Sequence, residues 1–218
     1  MYIKAAIKKI LRKNGKTDFL SKLNSNSTIL DVGCGNNSPF STKQILPNCI
    51  YTGIDIGDYN QTKPILADNY ILTTPQNFSN EIIKLSESFD AVISSHNLEH
   101  CDDRKSTLEA MLNALKIDGR IFLSFPCEQS VNFPKRRGTL NYYDDLTHKL
   151  LPPNFMETLS SIKAKGFEIE YAEKNYSPIL LRLIGLVCEP LSKIKNRNML
   201  GTWEYYGFES IIIAKKIS

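Results

Sequence analysis

The chain has 218 residues, of which 42% are hydrophobic and 23% charged, with a net charge of +4. That length supports a single domain with a sizeable core, and those fractions exclude a low-complexity, fibrous or disordered chain. The mild charge gives no argument for nucleic acid, and no apolar run reaches the length of a membrane span.

An amphipathic helical segment opens the chain over residues 1–24. Its clearest stretch is 3–13, where Ile3, Ala6, Ile7, Ile10 and Leu11 share one face and lysines and Arg12 fill much of the rest. It reads either as a surface helix capping the domain or as a contact with an anionic membrane surface or substrate. Thr28-Ile29-Leu30-Asp31-Val32 is a short apolar run, the signature of a buried parallel strand. Gly33-Cys34-Gly35 then permits a tight turn with bare backbone at the strand's carboxyl end, where open α/β sheets bind ligands. A helix over 41–46, a strand over 50–55 and a short strand over 64–67 follow. Next come a helix over 80–86, a strong strand over 89–95, a helix over 104–115, a turn at Asp118-Gly119 and a strand over 120–125. A long loop, 127–153, precedes a helix over 154–165 and a strand over 167–172; loops of that length are commonly functional. The last strand covers 210–214. Before it lies an apolar helical insertion, 178–205, readable as a lid, a dimer face, an interfacial helix or a segment packed on the parent domain.

Strands alternating with helices predict a parallel, right-handed α/β sheet. The five cysteines, odd in number and without a C-x-x-C pair, read as reduced thiols, and the N-terminus carries no apolar leader with a cleavage site. Both features point to a cytoplasmic protein. Three acids, Asp31, Asp55 and Asp68, stand at the expected carboxyl ends of three successive strands. Asp55 follows Asp31 at about the separation of a ribose-binding acid in a nucleotide-binding βαβ unit. Ser38 occupies the place of the third glycine of G-x-G-x-x-G, so the stretch stops short of the full fingerprint.

Over residues 25–175 the chain resembles class I S-adenosylmethionine-dependent methyltransferases of the small-molecule O-methyltransferase type. The motifs that carry the resemblance are Leu30-Asp31-Val32-Gly33-Cys34-Gly35, Gly53-Ile54-Asp55-Ile56, Ala67-Asp68, Phe89-Asp90-Ala91-Val92, Asn97-Leu98-Glu99-His100 and Leu115-Lys116-Ile117-Asp118-Gly119-Arg120. The resemblance implies a Rossmann-like sheet of seven strands, the last antiparallel, with helices on both faces. It also implies that Asp31, Gly33 and Gly35 border the methionine part of S-adenosylmethionine, that Asp55 binds the ribose hydroxyls and that Ile56 packs on the adenine. Asp68 would accept from the adenine amino group with Asn69 beside it, and Ser95 joins the cofactor set.

The three histidines are His96, His100 and His148. A helical turn after the fourth strand would converge His96, Glu99 and His100, and the long loop can bring His148 over the same strand end. Imidazoles with a carboxylate suit a divalent ion such as Zn²⁺, Mn²⁺, Fe²⁺ or Mg²⁺. The set is similar to those of small-RNA 3′-end 2′-O-methyltransferases and ubiquinone-pathway O-methyltransferases, with His96 where those families carry a glutamate. A general base without metal and a structural role are the alternatives; His100 and His148 are the catalytic candidates. In the same loop, Lys135-Arg136-Arg137 would suit an acceptor phosphate or carboxylate, or form a solvated turn. Tyr142 and Tyr143 would line a sugar pocket or anchor the loop.

The leading expectation is methyl transfer to an oxygen of a small sugar-type or anionic acceptor, a bacterial surface-glycan precursor being favoured. An RNA 3′-end 2′-O-methyltransferase and a non-catalytic cofactor-binding module are the alternatives. Nucleic acid is the disfavoured partner, membrane contact is at most peripheral, and a homodimer is an option.

Overall fold

The computed structural model describes residues 10–35, 37–58, 67–148 and 150–218. The helix expected over 3–13 lies largely outside them. Seven strands form one sheet: β1 (Thr28–Val32), β2 (Ile50–Asp55), β3 (Asn69–Leu72), β4 (Phe89–Ser95), β5 (Leu115–Pro126), β6 (Phe167–Tyr176) and β7 (Glu209–Lys216). Their order is β3-β2-β1-β4-β5-β7-β6, with β7 antiparallel to both neighbours and the other pairs parallel. The expected seven-stranded sheet with an antiparallel last strand is therefore present.

Alternation along the strands divides the core between the two faces of the sheet. Leu30, Val32, Ile54, Val92 and Ile121 turn to one face, where they meet Phe78 and Ile82 of α3 (Phe78–Ile83), Leu108 and Met111 of α4 (Arg104–Asn113), and Phe155 and Ile162 of α5 (Phe155–Ala164). Ile29, Tyr51, Ile93 and Phe122 turn to the other, against Phe19 and Leu20 of α1 (Lys16–Leu20); Leu46, just past α2 (Ser38–Ile45), joins that side. Helices α4 and α5 begin at side-chain caps: Asp103 accepts from the Ser106 amide and Asn154 from the Glu157 amide, both at 2.9 Å.

Several boundaries shift by a few residues, and three differences change the reading. The third strand is Asn69–Leu72, while the expected 64–67 lies outside the described residues except for Ala67. The turn at Asp118-Gly119 is a bulge inside β5: Phe89 pairs with Leu115 and Ala91 with Arg120, so the residues between loop out, with Asp118 at φ +64°. The insertion before β7 is two helices, α6 (Ile179–Ile194) and α7 (Thr202–Tyr206). They meet where a Cβ on Gly185 would lie 2.0 Å from the Gly201 carbonyl, so only glycine allows that approach.

The sheet order reverses at β1: β2 and β3 lie to one side of it and β4 and β5 to the other. In open α/β sheets that crevice, outside the carboxyl ends of the strands, is the binding site.

Candidate active site

A cavity of about 490 Å³ opens at this crevice. Its walls include Lys16 of α1, Gly33 and Cys34 after β1, Ser38 of α2, Ser95 and His96 at the end of β4, and Trp203 and Glu209. Gly33 and Gly35 hold φ values of +69° and +54°, conformations that suit glycine. A Cβ on Gly33 would lie 2.2 Å from Asn97 Oδ1, whereas one on Gly35 would meet nothing within 4 Å. The first glycine is required by packing; at the second, the space that a Cβ would take is open.

Asp31 is buried, and its Oδ2 accepts from Lys16 Nζ at 3.0 Å, Ser38 Oγ at 2.5 Å and the Tyr51 hydroxyl at 2.9 Å. Its role is thus to fix Lys16 and the α2 N-terminus at the cavity wall. Asp55, at the end of β2, accepts the Gly35 amide at 2.7 Å and the Ile56 amide at 2.7 Å. Burial raises its pKa, and those backbone donors oppose the shift. Ile56 is 46% exposed and offers an apolar wall beside that carboxylate. Ser95 Oγ lies 3.1 Å from Ser124 Oγ and lines the cavity.

Asp68 does not belong to this set. It precedes β3 rather than ending it, and its Oδ2 accepts the Tyr51 amide at the amino end of β2 and Lys43 Nζ at 2.7 Å. Asn69 pairs with Thr52, three residues before Asp55, and its Nδ2 reaches Thr52 Oγ1 at 3.4 Å. Both residues sit toward the opposite edge of the sheet from the crevice, because the edge strand starts where the sequence suggested it would finish.

The histidines separate into two environments. His96 has φ +52°, an uncommon conformation for a side-chain-bearing residue, and its amide donates to the Ser124 carbonyl at 2.8 Å. That bend sets its ring between Glu99 of the following turn and Glu209 of β7. Nδ1 meets Glu99 Oε1 at 3.1 Å and Nε2 meets Glu209 Oε1 at 3.1 Å. Trp203 and Phe208 flank the ring, with centroids at 5.2 and 6.2 Å. Burial opposes its charging, but the hydrogen bonds it donates to Glu209 and Glu99 prevail and raise its pKa to about 10. Glu209 is held down to about 2: desolvation works against this, and His96 and Arg12 outweigh it. With both nitrogens donating to carboxylates, His96 has no lone pair for a metal. The expectation that it is a ligand is corrected.

Glu99, His100 and His148 do converge. Each contributes one ligand atom to a group lying within 4.8 Å of one another, near the ~4 Å span across a first-row cation's coordination shell. Glu99 is buried, and its Oε2 has no hydrogen-bond partner among the described residues. His148 Nδ1 lies 2.6 Å from the Tyr142 carbonyl, an acceptor, so this nitrogen carries the proton and Nε2 the lone pair. Thr147 Oγ1 donates to Asp145 Oδ1 at 2.6 Å and so accepts from His100 Nδ1 at 2.9 Å, which again leaves Nε2 free. Desolvation lowers the His100 pKa, and His148 reinforces it while Glu99 pulls the other way. Arg104 ties the two segments together, donating to the Glu99 carbonyl at 3.1 Å and the Leu151 carbonyl at 2.5 Å.

The basic triplet also divides. Arg136 is buried, with Nη2 2.7 Å from Glu189 Oε1, and Nη1 2.7 Å from Glu189 Oε2 and 2.8 Å from Ser192 Oγ. It anchors the loop to α6 and is withdrawn as an acceptor ligand; Lys135 and Arg137 remain exposed. Tyr142 is fully buried and stacks under His148 at 4.1 Å, so it is a platform for that imidazole rather than a pocket wall. Tyr143 is 44% exposed beside it.

Comparison with known proteins bears on this geometry. A family model described as a methyltransferase domain matches residues 4–212. The chain belongs to that methyltransferase family. The structure of a SAM-dependent methyltransferase from Archaeoglobus fulgidus superposes with a TM-score of 0.56 at 20% identity, covering 99% of this chain and 94% of that one. One from Mesorhizobium loti gives 0.58 at 18% identity, covering 92% and 97%. An uncharacterized protein of Methanocaldococcus jannaschii is 31% identical over 115 residues, half of this chain but only 30% of that relative's length.

Within this methyltransferase, the cavity holds residues that the sequence did not single out. Lys16 and Arg12 bring cations to its wall, the first on Asp31, the second on Glu204 at 3.4 Å and on Glu209. A lysine in the first turn of a helix opposes the helix dipole. That oddity was the available signal for Lys16. Trp203 and Glu209 had none, because each reaches the site by a contact with a distant strand or turn.

Proposed function

We propose that this methyltransferase uses S-adenosylmethionine to methylate an oxygen of a small hydroxylated acceptor, assisted by a divalent cation on Glu99, His100 and His148. The nucleoside would lie along the carboxyl ends of β1 and β2. Asp55 accepts the ribose hydroxyls, Ile56 packs on the base, and Lys16 faces the carboxylate of the methionine part across the Gly33–Gly35 backbone. Those assignments use a buried carboxylate, an exposed apolar wall and a cation where the ligand's polar, apolar and anionic parts would fall.

The observation that carries the metal-assisted reading is the orphaned, buried Glu99 Oε2 next to two imidazoles whose Nδ1 protons are already committed. A buried carboxylate oxygen without a partner is costly, and second-shell hydrogen bonds on Nδ1 are the usual dress of a ligating histidine. A cation bound there would supply Lewis acidity that lowers the pKa of an acceptor hydroxyl. The protein's own contribution is orientation. Glu99 spans the two halves of the site, holding His96 through Oε1 at the cavity wall while its carboxylate also contributes an oxygen to the cluster. The acceptor oxygen would therefore be held beside the methyl group, where proximity does most of the work. A sugar-type acceptor, such as a surface-glycan precursor, offers adjacent hydroxyls for such a site. With Arg136 committed to Glu189, recognition of an acceptor anion would fall to Lys135 and Arg137.

The test uses labelled S-adenosylmethionine with pools of sugar nucleotides, phosphorylated metabolites and RNA 3′ ends, before and after exhaustive chelation. Transfer to the sugar pool that is lost on chelation and restored by Mn²⁺ or Zn²⁺ is expected. Chelation-insensitive transfer, with a Glu99→Gln variant as active as the parent, would remove the cation from the reading.

A further inference from the structure

Helix α6 presents an apolar face to solvent along its whole length. Ile179, Leu183, Leu186, Val187 and Ile194 are each between 52% and 81% exposed. At about 100° per residue they fall within an arc of roughly 100° on a helix about 24 Å long. The opposite side is closed against the domain by Leu181, by Gly185 against Gly201, and by Ser192 under Arg136. A contiguous stripe of this kind marks an interaction surface. It is too short and too interrupted to cross a bilayer: 16 residues with Pro190 inside, and no described helix is long and apolar enough to do so.

The charges around the stripe are of one sign. Arg182 and Lys193 lie on one margin of the helix, and Lys195 and Arg197 follow its end, all exposed. Arg137 joins them, since its backbone bridges to Arg197 and its amide donates to the Asn196 carbonyl at 3.2 Å. The one acid in this segment, Glu189, is neutralised by Arg136. An apolar face edged with arginines and lysines, whose stems can lie on acyl chains while their heads reach phosphates, fits the surface of an anionic bilayer. It does not fit a second copy. An antiparallel two-fold pairing centred on the middle of α6 would set Arg182 of each copy against Lys193 of the other.

We propose that α6 seats this enzyme on anionic membranes. The seat lies next to the acceptor side of the cavity, because Arg136 clamps the acceptor loop to α6 and Trp203 of the adjoining α7 lines the cavity wall. This rests on the proposed function for one clause only: the hydroxylated acceptor is then one held at a bilayer surface by a lipid anchor.

The experiment is vesicle co-sedimentation of the whole protein without cofactor or acceptor, on phosphatidylcholine alone and on mixtures with phosphatidylglycerol. Binding to the mixed vesicles, weakened by salt and absent on phosphatidylcholine alone, is expected. A Leu183→Glu/Val187→Glu variant with an unchanged melting temperature should lose it. Arg182→Gln and Lys193→Gln should each weaken it by roughly fivefold, the effect of about 1 kcal/mol per cation near an anionic surface. Failure of the parent protein to bind, or binding unchanged in the double variant, overturns the proposal. So does a concentration-dependent dimer in sedimentation velocity that the double variant disperses, which would give the face to a second copy. Because no turnover is read, failure here leaves the methyl-transfer reading untouched, and failure of that reading leaves this result standing.

Discussion

Replacing His96 by glutamine tests the division of the histidines most directly. The imidazole lies 3.1 Å from both Glu99 Oε1 and Glu209 Oε1, and glutamine keeps hydrogen-bonding capacity while removing the positive charge. The folded-state pKa of about 10 stands against an ordinary value of 6.5. At about 1.4 kcal/mol per pH unit, that gap corresponds to a contribution on the order of 5 kcal/mol. Breaking a buried ion pair by removing one partner costs a similar ~3–5 kcal/mol. For a domain of this size the loss is a fall in melting temperature of roughly 10 °C. A raised histidine pKa stabilises fully below its unfolded value, and the contribution disappears as pH climbs through the folded value. The gap between parent and His96→Gln should therefore be widest near pH 6 and close progressively toward pH 10. Glu209, depressed from 4.5 to about 2, behaves in the opposite sense: its stabilisation is present above 4.5 and fades as pH falls toward 2. Thermal melts of both proteins followed by circular dichroism across this range supply the curve. A gap that stays constant between neutral and alkaline pH would refute the claim that His96 is the charged bridge between these two acids. A gap that widens with pH would do the same.

Asp55→Ala should weaken S-adenosylmethionine binding by at least a hundredfold in calorimetry, since two charge-assisted hydrogen bonds at roughly 1.5–3 kcal/mol each would be lost; unaltered affinity would sever Asp55 from the ribose. Gly33→Ala should fold poorly, because its Cβ would sit 2.2 Å from Asn97 Oδ1 and 2.5 Å from Asn97 Cβ at φ +69°, and equal urea midpoints for parent and variant would contradict that packing. Arg136→Met should lower stability by roughly 1.5–3 kcal/mol, because Glu189 loses its charge-assisted bonds and keeps the Tyr206 hydroxyl at 2.6 Å, with Arg136→Met/Glu189→Leu recovering part of it; a double variant no better than the single one would mean that the ion pair is not what holds the loop to α6. Cys34, buried and with its thiol pushed up to about 12 by desolvation and then by Asp31 and Asp55, should resist iodoacetamide at neutral pH in the folded protein, and rapid mass-spectrometric labelling at that residue would show the crevice to be open to it.

The central strands were legible because their hydrophobic runs are long and flanked by turn residues, so β1, β2 and β4 fall at the boundaries their sequences suggest. The third strand was not. Two short apolar runs, 64–67 and 69–72, flank Asp68, and a four-residue edge strand leaves too little pattern to choose between them. One choice of strand then moved Asp68 and Asn69 from one end of the sheet to the other. The loop residues failed for another reason. Lys135, Arg136 and Arg137 are equivalent as text, and only Glu189, 53 residues away on α6, makes one of them an anchor. The helical insertion was visible as an apolar stretch, but which side of α6 faces solvent depends on the Gly185–Gly201 contact. Sequence spacing located the elements; long-range contacts decided the roles.

The same distinction explains why three neighbouring histidines divide into two roles. His96 and His100 are four residues apart, a spacing that would align them on a continuous helix. The chain instead bends at His96 through a positive φ, and the turn that follows is only Leu98–His100. One ring therefore swings toward Glu209 on β7, while the other stays with the loop that carries His148. Each imidazole then takes the protonation state that its partners dictate. Two carboxylates make His96 a cation. A backbone carbonyl fixes His148, and a threonine already donating to Asp145 fixes His100, each with its proton on Nδ1. Glu99 is the hinge between these states. One oxygen balances the cation, and the other has no hydrogen-bond partner among the described residues, in a carboxylate that also reaches the His100–His148 cluster. Exchanging the acid for glutamine would therefore disturb both halves at once, lowering the His96 pKa while altering one of the three proposed ligands. For that reason a loss of activity in Glu99→Gln alone does not establish a metal, whereas a loss that tracks cation affinity at a pH where His96 stays charged does.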